Sequence, residues 1–514
     1  MNNTRICVPV CASSASELPA AIERAAKLGD LVELRLDCLS ANELDRLQRE
    51  LPDLLKAQTP TLIFTLRPAG EGGRREIDNL TRVVFWTNFF SEETATKALA
   101  DLELDLALHF QEQGRSLIDW QRVICSHHDF KGSSEEELFK LYERLSSTPA
   151  RILKIAVQAK EITDCLPLFS LLDRAQAEGR ELIAVAMGEQ GLPTRILGPS
   201  RGSYLTYGSL DDEQQTAPGQ IKAVELRELY RVGQLDRSAM ITGLVGSPVA
   251  HSVSPQMHNA AFEAFGSNAV YLPFEVGEVA PFMRRMVHPL TCEIDWNLRG
   301  LSVTAPHKTA IMEHLDSVEP SAREIGAVNT VVVEDEKLRG LNTDAAAFIK
   351  TLSEKAGMLR GLNCALIGAG GAARGVLWGL HREGARATVF AREMRRAGML
   401  SEEFAADCAV LAEARFDGYD VVINTTPLGT LGPLEDETPA TAAQLRGARL
   451  VYDLVYNPLE TRLLHEAKEA GCETMNGLPM LVAQAAEQFY CWTGRKAPVE
   501  LMHRAAQTAL EKLS

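Results

Sequence analysis

A chain of 514 residues is too long for one hydrophobic core, and a prior of roughly 150 residues per domain predicts about three units. Its 46% hydrophobic and 24% charged residues describe an ordinary globular composition, with no apolar run near the ~18 residues that cross a bilayer. The net charge of −16, shared evenly between the two halves, excludes a nucleic-acid footprint, so any anionic ligand must be met by locally clustered arginines.

The opening Met-Asn-Asn-Thr-Arg-Ile-Cys has neither the apolar core of a signal peptide nor the composition of a transit peptide, which predicts a cytoplasmic location. Ten cysteines without a Cys-x-x-Cys pair are expected to be small buried hydrophobes in a reducing compartment. No histidine pair has metal-ligand spacing, so no metal is expected.

Through residue 235, eight strand-like runs begin near Arg5, Val32, Thr61, Leu102, Arg122, Arg151, Glu181 and Gly202. Between them, Ser16–Leu28 and Ser134–Leu145 carry a capping serine, acids in the first turn and apolar residues at helical spacing. Eight strand–helix repeats predict an α/β fold whose first domain, 1–235, is a closed (β/α)8 TIM barrel. A doubly wound sheet is the rival, but it usually carries a Gly-rich phosphate loop after its first strand, and none appears here.

The sixth run, Arg-Ile-Leu-Lys-Ile-Ala-Val (151–157), places Lys154 among apolar residues. An ammonium there is costly unless its pKa falls, and a lysine neutral part of the time attacks ketones to give a Schiff base. The plain alternative is a lysine whose tip reaches solvent at a strand end. Other polar residues gather near the same strand ends: Glu33 and Arg35 on run two, Arg67 and Glu71 after run three, His128 at the end of run five, Arg195 after run seven. Any one suits a structural ion pair; together they predict a catalytic rim.

These residues lie in Val-Glu-Leu-Arg-Leu-Asp (32–37), Phe-Thr-Leu-Arg (64–67), Glu-Gly-Gly (71–73), His-Asp-Phe (128–130), Lys-Ile-Ala (154–156), Met-Gly (187–188) and Ala-Pro-Gly-Gln (217–220), a set that resembles the type I 3-dehydroquinate dehydratases over about 4–225. The resemblance implies that Lys154 forms a Schiff base and His128 moves protons, oriented by Glu71. It further implies that Arg195 and Gln220 take the substrate carboxylate while Glu33, Arg35 and Arg67 hold ring hydroxyls and shape the charge around the lysine, without a cofactor. Thr216 stands where the family usually has serine; its extra methyl narrows the pocket.

Gly-Gln-Leu-Asp-Arg-Ser-Ala (233–239) is predicted to be a polar linker, followed by a strand at Ile241–Val245. Farther on, the run Cys364–Ile367 leads into Gly368-Ala-Gly370-Gly371-Ala372-Ala373-Arg374, a Gly-x-Gly-x-x-Ala fingerprint followed by a helix and the strand Ala387–Phe390. Such glycines permit a tight turn and a close backbone approach, and the helix N-terminus faces a pyrophosphate, which predicts a Rossmann lobe. After that second strand, Arg392, Arg395 and Arg396 suit the 2′-phosphate of NADP, whereas Glu393 opposes it. A solvated helix face accounts equally well for Arg395 and Arg396.

Ser252 and Ser254 in a hydroxyl-rich loop, Thr304 and Lys308 in Ser-Val-Thr-Ala-Pro-His-Lys (302–308), Asn329 in Gly-Ala-Val-Asn-Thr, and Asp344 in Leu-Asn-Thr-Asp complete a second set. With Asn424-Thr-Thr-Pro-Leu-Gly429, Tyr452-Asp-Leu-Val-Tyr456 and Gly477-Leu-Pro-Met-Leu-Val-Ala-Gln484, it resembles shikimate dehydrogenase over about 241–512. The resemblance implies a two-lobed α/β dehydrogenase: a substrate lobe at 240–350, completed by C-terminal helices at 478–514, and an NADP lobe at 360–477. Lys308 and Asp344 would transfer the proton at the carbonyl, Ser252 and Ser254 would take the carboxylate, and Thr304, Asn329, Tyr456 and Gln484 would meet the rest of the substrate. Gly368, Gly370, Gly371, Ala372, Ala373, Arg392, Arg396, Asn424 and Gly477 would line the cofactor.

Ser302, His307, Ala345, Ala391 and Glu393 depart from the common pattern, and the first leaves quinate open as a substrate. The order of the halves resembles the bifunctional dehydratase–dehydrogenase of plants, with 3-dehydroquinate, 3-dehydroshikimate and shikimate as its small-molecule partners. Two alternatives are an NAD(P)-dependent quinate/shikimate dehydrogenase fused to the same dehydratase and a metabolite sensor without turnover; the presence of Lys154, His128, Lys308 and Asp344 argues against the sensor.

Overall fold

The computed structural model describes residues 4–56, 60–92, 98–114, 118–211 and 216–513. The first three residues of the N-terminal stretch discussed above lie outside them. Contacts divide the chain into one unit of Met1–Ala239 with Phe274–Met286 and Glu293–Asn297, and a second of Met240–Pro273 with Val287–Cys292 and Leu298–Ser514. Two short segments beyond residue 240 therefore group with the first unit, a feature that a boundary drawn along the sequence does not anticipate.

The first unit holds eight parallel strands: β1 (Ile6–Val10), β2 (Leu31–Arg35), β3 (Thr61–Thr65), β4 (Leu99–Glu103), β5 (Val123–Asp129), β6 (Ile152–Gln158), β7 (Glu181–Met187) and β8 (Thr206–Tyr207). They pair in the order β7-β6-β5-β4-β3-β2-β1-β8. A bridge from Leu182 to Ser203 brings the segment leading into β8 against β7 and closes the ring. Between strands, the expected helix near Ser134 forms as Glu135–Ser146, and Ser134 and Glu137 make a reciprocal capping box.

Two-residue stepping along these strands builds the interior in layers. Leu31, Ile63, Leu99, Ile124, Ile152 and Ile183 pack as an apolar floor. One step further along each strand, on the same face, stand Glu33, Thr65, Asp101, Ser126, Lys154 and Val185. The polar layer is thus set by strand periodicity, with hydrocarbon directly beneath it.

In the 233–239 segment, Leu235 is buried and Arg237 pairs with Asp173 at 2.6 Å. One expectation is corrected in this unit: the cysteines are not all thiols. Cys11 and Cys38 follow the C-terminal ends of the adjacent strands β1 and β2, and their sulfurs are bonded with a Cα–Cα distance of 5.6 Å.

The second half contributes two sheets. One, in the order β10-β9-β11-β13-β14-β12, consists of β9 (Met240–Gly246), β10 (Ala269–Glu275), β11 (Asn297–Val303), β12 (Ser317–Val318), β13 (Thr330–Glu334) and β14 (Lys337–Leu341). The other consists of β15 (Asn363–Ile367), β16 (Arg386–Ala391), β17 (Asp407–Val410), β18 (Val421–Asn424), β19 (Leu450–Asp453) and β20 (Glu473–Met475). It is parallel throughout, and its order β17-β16-β15-β18-β19-β20 reverses direction beside β15. That is the doubly wound pattern, whose ligand crevice lies at the carboxyl ends of the strands.

Candidate active sites

In the barrel, an open cleft is lined by Glu33, Arg35, Arg67, Glu71, His128, Lys154, Arg195, Thr216 and Gln220, together with Gly72, Phe130, Ala156, Val185, Met187, Tyr207 and Ala217. Every barrel residue singled out from the sequence therefore faces one cavity. Gly72 is required there: its φ is +84°, and a Cβ would lie 2.3 Å from the Phe130 ring.

Lys154, 5% exposed, is answered by charge rather than left bare. Its Nζ lies 2.9 Å from Asp101 and 3.6 Å from Glu33. Asp101 also accepts from Ser126 at 2.5 Å and pairs with Arg67 at 2.9 Å. Burial pushes the Asp101 carboxyl up, but Arg67 and then Lys154 outweigh it, so it stays below the usual carboxylate range. Arg67 is committed within the wall, donating to Glu103 and Ser126 as well. These bonds place its charge beside Lys154, as expected of a residue that shapes the field there, and its side chain also lines the cleft.

The imidazole of His128 lies beside Glu71, Nδ1 to Oε2 at 3.3 Å, and the same carboxylate oxygen accepts the His128 backbone N–H at 3.1 Å. Burial, then Arg67, lowers His128 to about 3 against the support of Glu71, so the ring is neutral near pH 7 and free to accept a proton. Burial raises Glu71, but hydrogen bonds from His127 and His128 bring it to about 2. Arg35 is gripped in bidentate fashion by Asp37 at 2.9 and 2.8 Å.

Arg195 differs from the other two arginines. It is 1% exposed, has no carboxylate partner among the described residues, and makes one bond, to the Pro218 carbonyl at 3.2 Å. Its Nε is unsatisfied, and burial alone lowers its pKa to about 10. A buried, unanswered guanidinium at a cleft wall is a site for an anion. Thr216 and Gln220 stand near it, bonded to each other through Thr216 N and Gln220 Oε1 at 2.9 Å.

In the second half, Lys308 Nζ meets Asp344 Oδ2 at 2.5 Å, and Asn329 Nδ2 donates to Asp344 Oδ1 at 2.7 Å. Ser254 opens the helix Ser254–Ala264, Ser252 shares a hydrogen bond with Tyr456, and Ser254 shares one with Tyr271. Thr304 continues from β11, its N–H bonded to Val245 O at 2.9 Å. Gln484 donates to Leu481 of its own helix at 2.9 Å. Asn424 is fully buried, with its amide on Asp453 and its side-chain carbonyl accepting from Thr426. The sequence reading passed over Gln488, one turn beyond Gln484, which bonds Ser302 at 2.7 Å and Thr330 at 3.0 Å.

Family profiles match type I 3-dehydroquinase over residues 6–237, the shikimate dehydrogenase substrate-binding domain over 244–331, and the shikimate 5′-dehydrogenase C-terminal domain over 477–507. The chloroplastic bifunctional 3-dehydroquinate dehydratase/shikimate dehydrogenase of Arabidopsis thaliana is 35% identical, over 97% of this chain and 84% of its own. The chain belongs to this bifunctional family. A shikimate dehydrogenase (NADP(+)) of Moorella thermoacetica is 41% identical over 54% of this chain and 96% of its own. A solved shikimate dehydrogenase in complex with NADP+ is 37% identical, with a TM-score of 0.50, and covers 54% of this chain and 97% of its own.

The dinucleotide lobe of this family member fits such a cofactor. Gly368 has φ +113°, and a Cβ there would lie 2.6 Å from Thr425 Oγ1. No atom lies within 4 Å of the corresponding point on Gly370, which leaves room before the helix Gly371–Arg382, where first-turn N–H groups point outward. Ala373 faces the core, Gly477 would clash with Leu454 O at 2.2 Å if it carried a Cβ, and Arg392 stands exposed directly after β16. Arg396 pairs with Glu393 at 3.2 Å, so the carboxylate that opposed a phosphate has a cation beside it.

Proposed function

We propose that the chain dehydrates 3-dehydroquinate to 3-dehydroshikimate in its barrel, residues 1–235, and reduces that product to shikimate with NADPH in residues 240–514. One observation carries the reading: Lys154, a neutral His128 and an unanswered Arg195 face the same cleft.

In the barrel, the Lys154 nitrogen attacks the ketone carbon and the carbonyl oxygen leaves as water. The resulting iminium withdraws electrons from the neighbouring carbon, so the His128 imidazole can remove a proton there, and loss of the β-hydroxyl follows. Glu71 orients the ring, Arg195 with Thr216 and Gln220 receives the carboxylate, and Glu33 and Arg35 face the hydroxyls. Hydrolysis frees the lysine. Borohydride reduction in the presence of 3-dehydroquinate should attach the ligand mass to Lys154; an adduct on another lysine, or none, rejects the mechanism.

In the second half, NADPH would supply the hydride when bound. Gly368, Gly370, Gly371 and Ala372 would cradle its pyrophosphate, and Arg392 its 2′-phosphate. Lys308 holds the proton at the carbonyl oxygen, Asp344 keeps the Lys308 nitrogen in place, Ser252 and Ser254 receive the carboxylate, and Thr304, Asn329 and Tyr456 complete the wall. Steady-state rates with NADP and NAD, each against shikimate and quinate, test cofactor and substrate together.

No described helix is long and apolar enough to cross a membrane. A cytoplasmic location is our reading of the eight free cysteines; the Cys11–Cys38 bridge stands against it. Thiol counting on protein from intact cells decides between them.

A further inference from the structure

Tyr207 occupies the same interior layer as Lys154, two residues beyond Leu205 of the apolar floor. The Lys154 Nζ lies 4.5 Å from the centroid of its ring. The side chain is 6% exposed, and its hydroxyl is buried with no hydrogen-bond partner among the described residues. What Tyr207 presents to the lysine is therefore a π face.

We propose that Tyr207 is a catalytic residue of the barrel, its ring face stabilising the positive charge that remains on the Lys154 nitrogen after condensation with the keto acid. The inference rests on the Schiff-base reading given above. An ammonium has three N–H donors; one bonds Asp101 at 2.9 Å, whereas Glu33, at 3.6 Å, is an ion-pair neighbour beyond hydrogen-bond reach. Condensation converts the ammonium and the ketone into a protonated imine and water: the new C=N bond forms, the C=O bond breaks, and the oxygen departs with two of the three nitrogen-bound protons. The charge is unchanged and a single N–H remains, so the nitrogen keeps at most one directed hydrogen bond.

The attraction between a cation and an aromatic face needs no proton. It therefore holds through the change in donor number, in a water-poor layer where such attraction is strongest.

The test uses the full-length chain, 3-dehydroquinate and borohydride, with the fraction of Lys154 trapped read by mass and the dehydrogenase rate of the same chain as the control for folding. Tyr207→Phe keeps the ring and removes a hydroxyl without a partner, so trapping and dehydratase kcat stay within about twofold of wild type and stability does not fall. Tyr207→Leu removes the π face, and a trifluorinated phenylalanine at position 207 keeps the shape while draining it of negative potential; each lowers trapping and kcat on the order of tenfold. The dehydrogenase rate stays unchanged.

Equal trapping in the fluorinated and Phe proteins overturns the proposal, as does a Phe protein that loses as much as the Leu protein, which would assign the effect to the hydroxyl. Should the Leu protein lose both activities through misfolding, the fluorinated-to-Phe comparison still decides. A wild-type chain without any Lys154 adduct is a separate result that removes the Schiff-base reading itself.

Discussion

Lys308 and Asp344 are in contact at 2.5 Å, and the second oxygen of Asp344 is pinned by Asn329 at 2.7 Å. The Lys308 nitrogen is thereby fixed in place, as a group that passes a proton to a carbonyl oxygen must be. Lys308→Ala is expected to lower dehydrogenase kcat by about 10²–10⁴-fold. Dehydratase activity of the same protein should be nearly unchanged. If both activities vanish while the chain stays folded, the two sites are not independent.

Lys154→Ala should give the mirror image. Dehydratase kcat falls by at least about 10²-fold, borohydride attaches no ligand, and shikimate oxidation continues. Parallel assays of the two reactions on one preparation check this.

Arg195 is buried without a counter-charge, so replacing it has opposite effects on binding and folding. Arg195→Gln removes a charge-assisted partner for the carboxylate and should raise the dehydratase KM by roughly 10–100-fold. It also removes an unpaired buried cation, so the thermal midpoint of the empty protein should hold or rise. A lowered midpoint together with an unchanged KM would show that the guanidinium is structural.

His128 and His258 are both held at about 3, against an ordinary value of 6.5, with burial the largest cause for each. Between those values the unfolded chain binds protons that the folded chain does not. Their contribution to stability is therefore complete above 6.5 and is lost as pH falls toward 3. Thermal midpoints measured from about pH 7 down to about pH 4 should decline, and the acid limb of dehydratase activity should lie well below 6.5. Replacing His258, which is stacked on Tyr271 at 4.3 Å and has neither ring nitrogen bonded, with phenylalanine should flatten the decline.

Arg392 stands exposed beyond β16, where a 2′-phosphate would lie. Arg392→Ala should raise the KM for NADP by about tenfold or more and leave the KM for NAD almost unchanged. An equal effect on both cofactors would place Arg392 away from the phosphate.

Much of the architecture was legible because it follows from period and chemistry. Glu33, Arg35 and Lys154 alternate along recognisable strands, and the glycine fingerprint between β15 and its helix marks the doubly wound sheet. Asp101 escaped notice for a related reason: the fourth strand was expected to begin near Leu102, whereas it starts at Leu99, and only the earlier start brings Asp101 onto the interior face. Tyr207 was hidden in a strand of two residues, too short to show alternation. Gln484 and Gln488 lie one turn apart on one helix face, and the sequence offers no signal that the second is the one committed to Ser302 and Thr330. The Cys11–Cys38 bridge depends on β1 lying beside β2, a pairing that cysteine spacing does not reveal.

The solitary cation at Arg195 also bears on how the empty barrel behaves. With no side chain among the described residues to neutralise it, a bound carboxylate completes the fold as well as occupying the cleft, and occupancy and durability become one property. Dehydroquinate, or a bare mimic of its acid group, should therefore protect the barrel from heat and proteases in proportion to its concentration, and Arg195→Gln should abolish that protection.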